Sequence, residues 1–214
     1  MPDVPLTETL AAVNQLYRAD KFKRFGLSNY TPEQVEEVIR VASENNYVQP
    51  TVYQGTYSAI SRKLEAVLFP TLRKYNIIFY AYSPISGGLL AKTKEQIINP
   101  PQGRWHPSST LGKLSRALYD KPSFLAALDT WGQIAQDAGI ARAALAYRWV
   151  AYHSPLRDSA QNGIIIGASK LDQVPQTLGW LHDGPLRNDI VARIEEVGQS
   201  TLADSPIGNN QALF

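Results

Sequence analysis

Cysteine is missing altogether from the 214 residues, methionine appears once and histidine three times. Without cysteine there is no disulfide, no thiolate metal site and no thiol nucleophile, a composition that suits a reducing compartment. His106, His153 and His182 are too widely spaced to suggest a metal site, and none is expected. An excess of either charge is missing too: 21 Lys and Arg against 19 Asp and Glu leave a formal +2, too little to draw the chain to nucleic acid or an acidic membrane. No stretch approaches the roughly 18 apolar residues of a membrane span. The opening MPDVPLTETL has neither the basic nor the apolar region of a leader. These absences point to a cytoplasmic protein acting on a small molecule, without nucleic-acid or membrane partners.

What is present is an alternation of helical and strand patterns in one domain, 1–214. Thr7 is placed to cap a helix with Leu10, Val13, Leu16 and Tyr17 on its apolar face, and FGLSN from Phe25 reads as a short buried strand. Thr31, Pro32 and Gln34 spell a capping box at the start of a helix that repeats Val35, Val38, Ile39 and Ala42. TVYQG at 51–55 is a second strand, Ser61 opens a helix carrying Leu64, Val67 and Leu68, and NIIFYAYSP supplies a third strand. From about Ala91 to Lys121 the chain is rich in Pro, Gly and Ser and reads as a long loop, a lid or a binding loop. Helices are expected at 124–137 and 140–153, a fourth strand in GIIIGAS at 163–169, two more helices after it, and a tail from about residue 200. Short apolar strands separated by helices indicate parallel βα units. Each strand ends in polar or ring-bearing residues, and in such folds function gathers at the C-terminal ends of strands.

FGLSNYTPEQVEEV, the stretch from PTVYQGTYSAISRK to FYAYSPISGGLLAK, GRW, and GIIIGASKLDQVPQTL, in this order and spacing, resemble the aldo-keto reductases, in particular the aflatoxin-aldehyde and succinic-semialdehyde reductases. The likeness runs over nearly the whole chain. It implies an α/β fold, a partial (β/α)8 TIM barrel made of the C-terminal four βα units, and NADP(H) as the cofactor, although the chain with no cofactor is the alternative. On this resemblance Ser28, Asn29 and Gln54 meet the nicotinamide carboxamide and Tyr82 stacks on its ring. Ser83, Ile85, Gly87 and Gly88 wrap the pyrophosphate, and Gly167, Ser169, Gln173, Gln176 and Thr177 take the adenosine 2'-phosphate end. Two departures stand there: Thr177 replaces the family's usual Asn, and Pro175 falls within the first turns of the helix.

The resemblance also places a histidine just before the MPD of residues 1–3 and an Asp, a Tyr and a Lys earlier still, so the whole catalytic tetrad is expected to be absent from this truncated chain. Both a natural start and a shortened gene model remain open. Without the tetrad, the favoured expectation is non-redox work such as isomerisation, dehydration or cyclisation in the retained pocket. The alternatives are an NADP(H)-dependent carbonyl reductase with a substitute proton donor and a non-catalytic binding remnant. Acid–base candidates are Tyr53, Tyr57, Tyr82 and His106. Arg104, Trp105 and His106 invite a substrate-site role, against the ordinary reading of an exposed loop; His153 and His182 are expected to complement helix C-termini as partly charged imidazoles. Four parallel strands cannot close a barrel, so a homodimer with two copies supplying eight strands is expected, the alternative being a monomer whose N-terminal segment or 91–121 loop folds over the open edges.

Overall fold

The computed structural model describes residues 4–100, 103–159 and 161–208. The MPD opening and the last six residues of the expected tail lie outside the described residues.

Four parallel strands form one sheet in sequence order. They are β1 (Phe25–Ser28), β2 (Pro50–Thr56), β3 (Ile78–Tyr82) and β4 (Gly163–Ile164). Register places Leu27, Tyr53 and Phe79 in one row and Ser28, Gln54 and Tyr80 in the next. Because side chains alternate along a strand, the two rows face opposite sides of the sheet. The first row is buried in the core, whereas Gln54 is exposed. One face is therefore packed and the other is open.

The helices that cover the packed face begin with α1 (Leu6–Arg18) and α2 (Pro32–Glu44). Thr7 does not cap α1. The cap lies two residues earlier, at Pro5, whose carbonyl accepts from Glu8 and Thr9 N–H at 3.1 Å. Of its expected apolar face only Leu10 is buried, while Leu16 is 51% and Tyr17 40% exposed. The capping box of α2 forms as written: Thr31 N–H donates to Gln34 Oε1 at 2.8 Å, and Gln34 N–H donates to Thr31 Oγ1 at 3.3 Å.

Between β2 and β3 lie α3 (Leu64–Val67) and α4 (Phe69–Lys74). Ser61 does not open α3, because residues 58–61 fold into a tight turn with Ser61 N–H donating to the Ser58 carbonyl at 3.1 Å. A short 3-10 segment, Ser86–Ala91, follows β3. The expected loop to residue 121 is not a bare loop. It holds α5 (Lys94–Ile98) and α6 (Thr110–Tyr119), each started by a side-chain cap, from Thr93 and Ser109. Then come α7 (Pro122–Ala138), α8 (Arg142–Tyr152), α9 (Gln173–His182) and α10 (Asn188–Thr201). No helix among the described residues is long and apolar enough to cross a membrane.

Strand β4 is shorter than the GIIIGAS stretch. It pairs with β3 only at Tyr80 and Ala81, and the last ladder bond is Ile165 N–H to the Ala81 carbonyl at 2.8 Å. Among the described residues β4 has no neighbour on its other side, so Ile164, Ile165 and Ile166 are all only half-buried.

Candidate functional site

At the C-terminal ends of β3 and β4 lies a cavity of about 760 Å³, within the range usual for small-molecule and cofactor sites. A second hollow, about 520 Å³ and lined by Phe69, Arg73 and Asn162 among others, sits by Ile78 at the opposite end of β3. The first joins glycines to cations and is the candidate site.

Its floor is the turn after β3. Ile85 has φ −103 and ψ 20, and Ser86 (φ 50), Gly87 (φ 65) and Gly88 (φ 93) are all left-handed. Within the turn the Ser86 N–H donates to the Ser83 carbonyl at 2.8 Å and the Gly88 N–H to the Ile85 carbonyl at 3.0 Å, so what the turn offers a ligand is close approach of bare glycine backbone. A Cβ at Gly88 would meet only Trp105 Nε1, 3.8 Å away, so the backbone is bare on its open side. At Gly87 a Cβ would come 3.4 Å from Arg104 Nε, which puts the guanidinium directly over the turn. Lys92 also lines the cavity.

Of the expected cofactor contacts, the cavity brings together Tyr82, Ser83, Ile85, Gly87, Gly88, Gly167, Ser169 and Gln173. Ser28, Asn29, Gln54, Gln176 and Thr177 are not in its lining. Ser28 and Gln54 are nevertheless register partners on the open face, and Asn29 Nδ2 donates to Ser28 Oγ at 3.0 Å. Asn29 itself is left-handed at φ 61, and the C-terminal segment reaches it: a Cβ on Gly208 would lie 3.1 Å from Asn29 Oδ1. Gln173 turns its Oε1 back to accept from Ser169 N–H at 2.9 Å and Lys170 N–H at 3.3 Å. Gln176 is exposed, and Thr177 is buried with its hydroxyl set beside the Tyr147 phenol. Burial raises the Tyr147 pKa above its ordinary value.

The acid–base candidates are scattered. Tyr57 is fully buried and donates to Glu65 Oε1 at 2.5 Å, and desolvation pushes its pKa far up. Tyr53 donates to the Tyr30 carbonyl at 2.8 Å, and burial pushes its pKa up to about 12. His106 Nδ1 lies 2.7 Å from Ser108 Oγ. Tyr82 alone of the four lines the cavity. His153 differs from a charged cap: its Nε2 accepts from Leu186 N–H at 2.8 Å, which requires the neutral ring at that nitrogen, and desolvation lowers its pKa. His182 Nδ1 is 2.7 Å from the Leu178 carbonyl in the last turn of α9, where it serves the helix end as expected.

For Arg104, Trp105 and His106 the sequence left an exposed loop as the ordinary reading and a substrate-site role as the other, and neither foresaw a buried ring. In the structure Trp105 is 2% exposed, and its Nε1–H donates to the Gly87 carbonyl at 3.1 Å. A tryptophan amid Gly and Pro was the available signal, since so large an apolar ring seldom stays in water. Among the described residues no three metal-ligating side chains come together.

The aldo/keto reductase family model matches residues 1–199. Oxidoreductase sirO of Leptosphaeria maculans is 39% identical over 201 residues, 94% of this chain and 61% of its own length. Human aldo-keto reductase family 7 member A3 is 36% identical, over 96% of this chain and 65% of its own. Human aflatoxin B1 aldehyde reductase member 4 is 35% identical, over 87% and 58%. The chain spans about three fifths of the length of the curated relatives it matches.

Proposed function

This chain belongs to the aldo/keto reductase family, and on that premise we propose that it binds NADP(H) in the cavity beyond β3 and β4 and serves the reduction of a small-molecule carbonyl. The observation that carries the reading is the left-handed Ser86–Gly88 turn lying under Arg104. An ordinary glycine turn needs neither a cation above it nor a buried tryptophan bonded to its carbonyl.

The residues present suit a dinucleotide. The bare Gly87–Gly88 backbone lets a pyrophosphate come close and the Arg104 guanidinium offers it a fixed charge, with Lys92 at the cavity wall. The Tyr82 ring offers a stacking face for the nicotinamide. Ser28 and Gln54, adjacent on the open sheet face, present the hydroxyl and amide that a carboxamide requires. Gln173 opens α9 and its Oε1 already takes the Ser169 and Lys170 N–H groups, so at this end of the cavity the polar side chains of Ser169 and Gln173 are what faces the adenosine end. When bound, NADPH supplies a hydride to a carbonyl carbon. The chain's part is to orient that ring and exclude water beneath it. Relatives named as reductases favour this over isomerisation, dehydration or cyclisation, and those named for aldehydes favour an aldehyde as the carbonyl.

Calorimetric titration with NADPH tests the proposal. Saturable binding is expected, with Arg104→Ala weakening it by roughly tenfold or more, the size of a lost charge-assisted hydrogen bond. Absence of binding up to millimolar NADPH overturns it. Consumption of NADPH with an aldehyde separates reduction from non-redox turnover.

A further inference from the structure

Ser86 is out of place in the cradle. Glycine adopts a positive φ readily, as Gly87 and Gly88 do, but a serine at φ 50 sets its Cβ against the following carbonyl. Ser86 is also fully buried, and its Oγ lies 2.8 Å from Oγ of Ser58, itself fully buried, so the two share a hydrogen bond.

Ser58 is a rigid post. It starts the 58–61 turn, whose Ile60 carbonyl accepts from Thr201 Oγ1 at 3.2 Å. On the same turn α10 packs so closely that a Cβ at Gly198 would lie 2.7 Å from the Ala59 carbonyl oxygen. The Tyr119 hydroxyl sits among the Thr56, Ser61 and Ser86 hydroxyls, all of them no more than 3% exposed, so Ser86 has a second buried neighbour beside Ser58. The side chain of Ser86 is thus tied to the best-packed part of the molecule while its backbone forms the first left-handed step of the turn.

We infer that the Ser58–Ser86 hydroxyl bond holds the cradle in its left-handed form, which makes both serines positioning residues for dinucleotide binding. The role rests on the cofactor reading above. It acts through the backbone of Gly87 and Gly88 rather than by touching the ligand.

Two substitutions at one position separate this from simple core filling. Ser86→Ala loses the hydroxyl and keeps the unfavourable Cβ, so NADPH binding should weaken roughly three- to tenfold, the size of one buried hydrogen bond. Ser86→Gly loses the hydroxyl too but is at ease with a positive φ, so it should keep affinity within about twofold of wild type. Core filling alone predicts the reverse order, because glycine leaves the larger void, and that order overturns the inference. In a Ser58→Ala background, Ser86→Ala should cost less than it does in wild type, the remainder being its contact with Tyr119; full additivity also overturns it. Should wild type bind no NADPH, the cofactor reading fails by itself. Thermal melts then decide the backbone role, with Ser86→Gly above Ser86→Ala in Tm supporting it and the opposite order refuting it.

Discussion

Tyr82 is the residue on which the cofactor reading makes its simplest demand. It ends β3 and lines the cavity wall beside Ser83, whose φ of 56 turns the chain away at once. Tyr82→Ala removes a stacking face and is expected to weaken NADPH binding about tenfold, since an aromatic stack contributes roughly 0.5–1.5 kcal/mol beyond its burial. Equal titration curves for wild type and variant would place the nicotinamide elsewhere. His153 makes a demand on stability. Its Nε2 must stay unprotonated to accept from Leu186 N–H, and desolvation, with Arg157 and Arg148 nearby, outweighs the opposing pull of Glu195 to lower its pKa below the ordinary 6.5. A depressed folded pKa means the unfolded chain takes the proton first as pH falls. The contribution is whole above about 6.5 and is lost as pH drops through the folded value. Denaturant midpoints measured from pH 7.5 to 5 should therefore decline, and His153→Gln should flatten that part of the profile; an unchanged slope in the variant would clear His153 of the effect.

At the scale of elements, the joints between helices and turns depend on close approach. Gly198 of α10 meets the Ala59 carbonyl oxygen, which belongs to backbone and cannot swing aside. Gly198→Ala should force α10 off the 58–61 turn and destabilise the fold by about 1–3 kcal/mol, the usual effect of overpacking. Chemical denaturation reads this directly, and a wild-type midpoint would show that α10 is loosely seated. The 103–119 stretch repeats the lesson with polar contacts. Trp105 reaches the Gly87 carbonyl, Arg116 Nη2 donates to the Ile97 carbonyl at 3.0 Å, and Tyr119 is packed at 3% exposure. A segment whose composition suggests a mobile lid is in fact fastened to the cradle at its start and buried at its end. Composition could not show this, because Pro, Gly and Ser describe how a chain turns and not what its few large residues find when it has turned.

For the whole molecule, the open sheet is the dominant physical fact. Among the described residues β1 pairs only with β2 and β4 only with β3, and exposed apolar side chains occur on α1, Leu16 and Tyr17, and at α9, Leu171 just before it with Val174 and Leu178 on it. Closure by a second copy, β4 of one chain beside β1 of the other, would supply eight parallel strands and the rest of the mouth. Light scattering at micromolar concentration should then give twice the 23.7 kDa chain mass. A uniform species of single-chain mass would refute it. Local signals were enough to place the four strands, the α2 capping box and the glycine turn, because each rests on neighbours within a few residues: Gln34 finds Thr31, and Gly87 follows Ser86 whatever the rest of the chain does. Even the wrong start of α1 was a local error, settled by Pro5. Tertiary structure alone decided that Trp105 seals the cradle, that Tyr57 is spent on Glu65, that Thr177 turns to Tyr147, and that Ser58 holds Ser86 across 28 residues. Tyr57 and Glu65 are eight residues apart and the other pairs 18 or more, and side-chain hydrogen bonds at such separations leave no period or spacing to read.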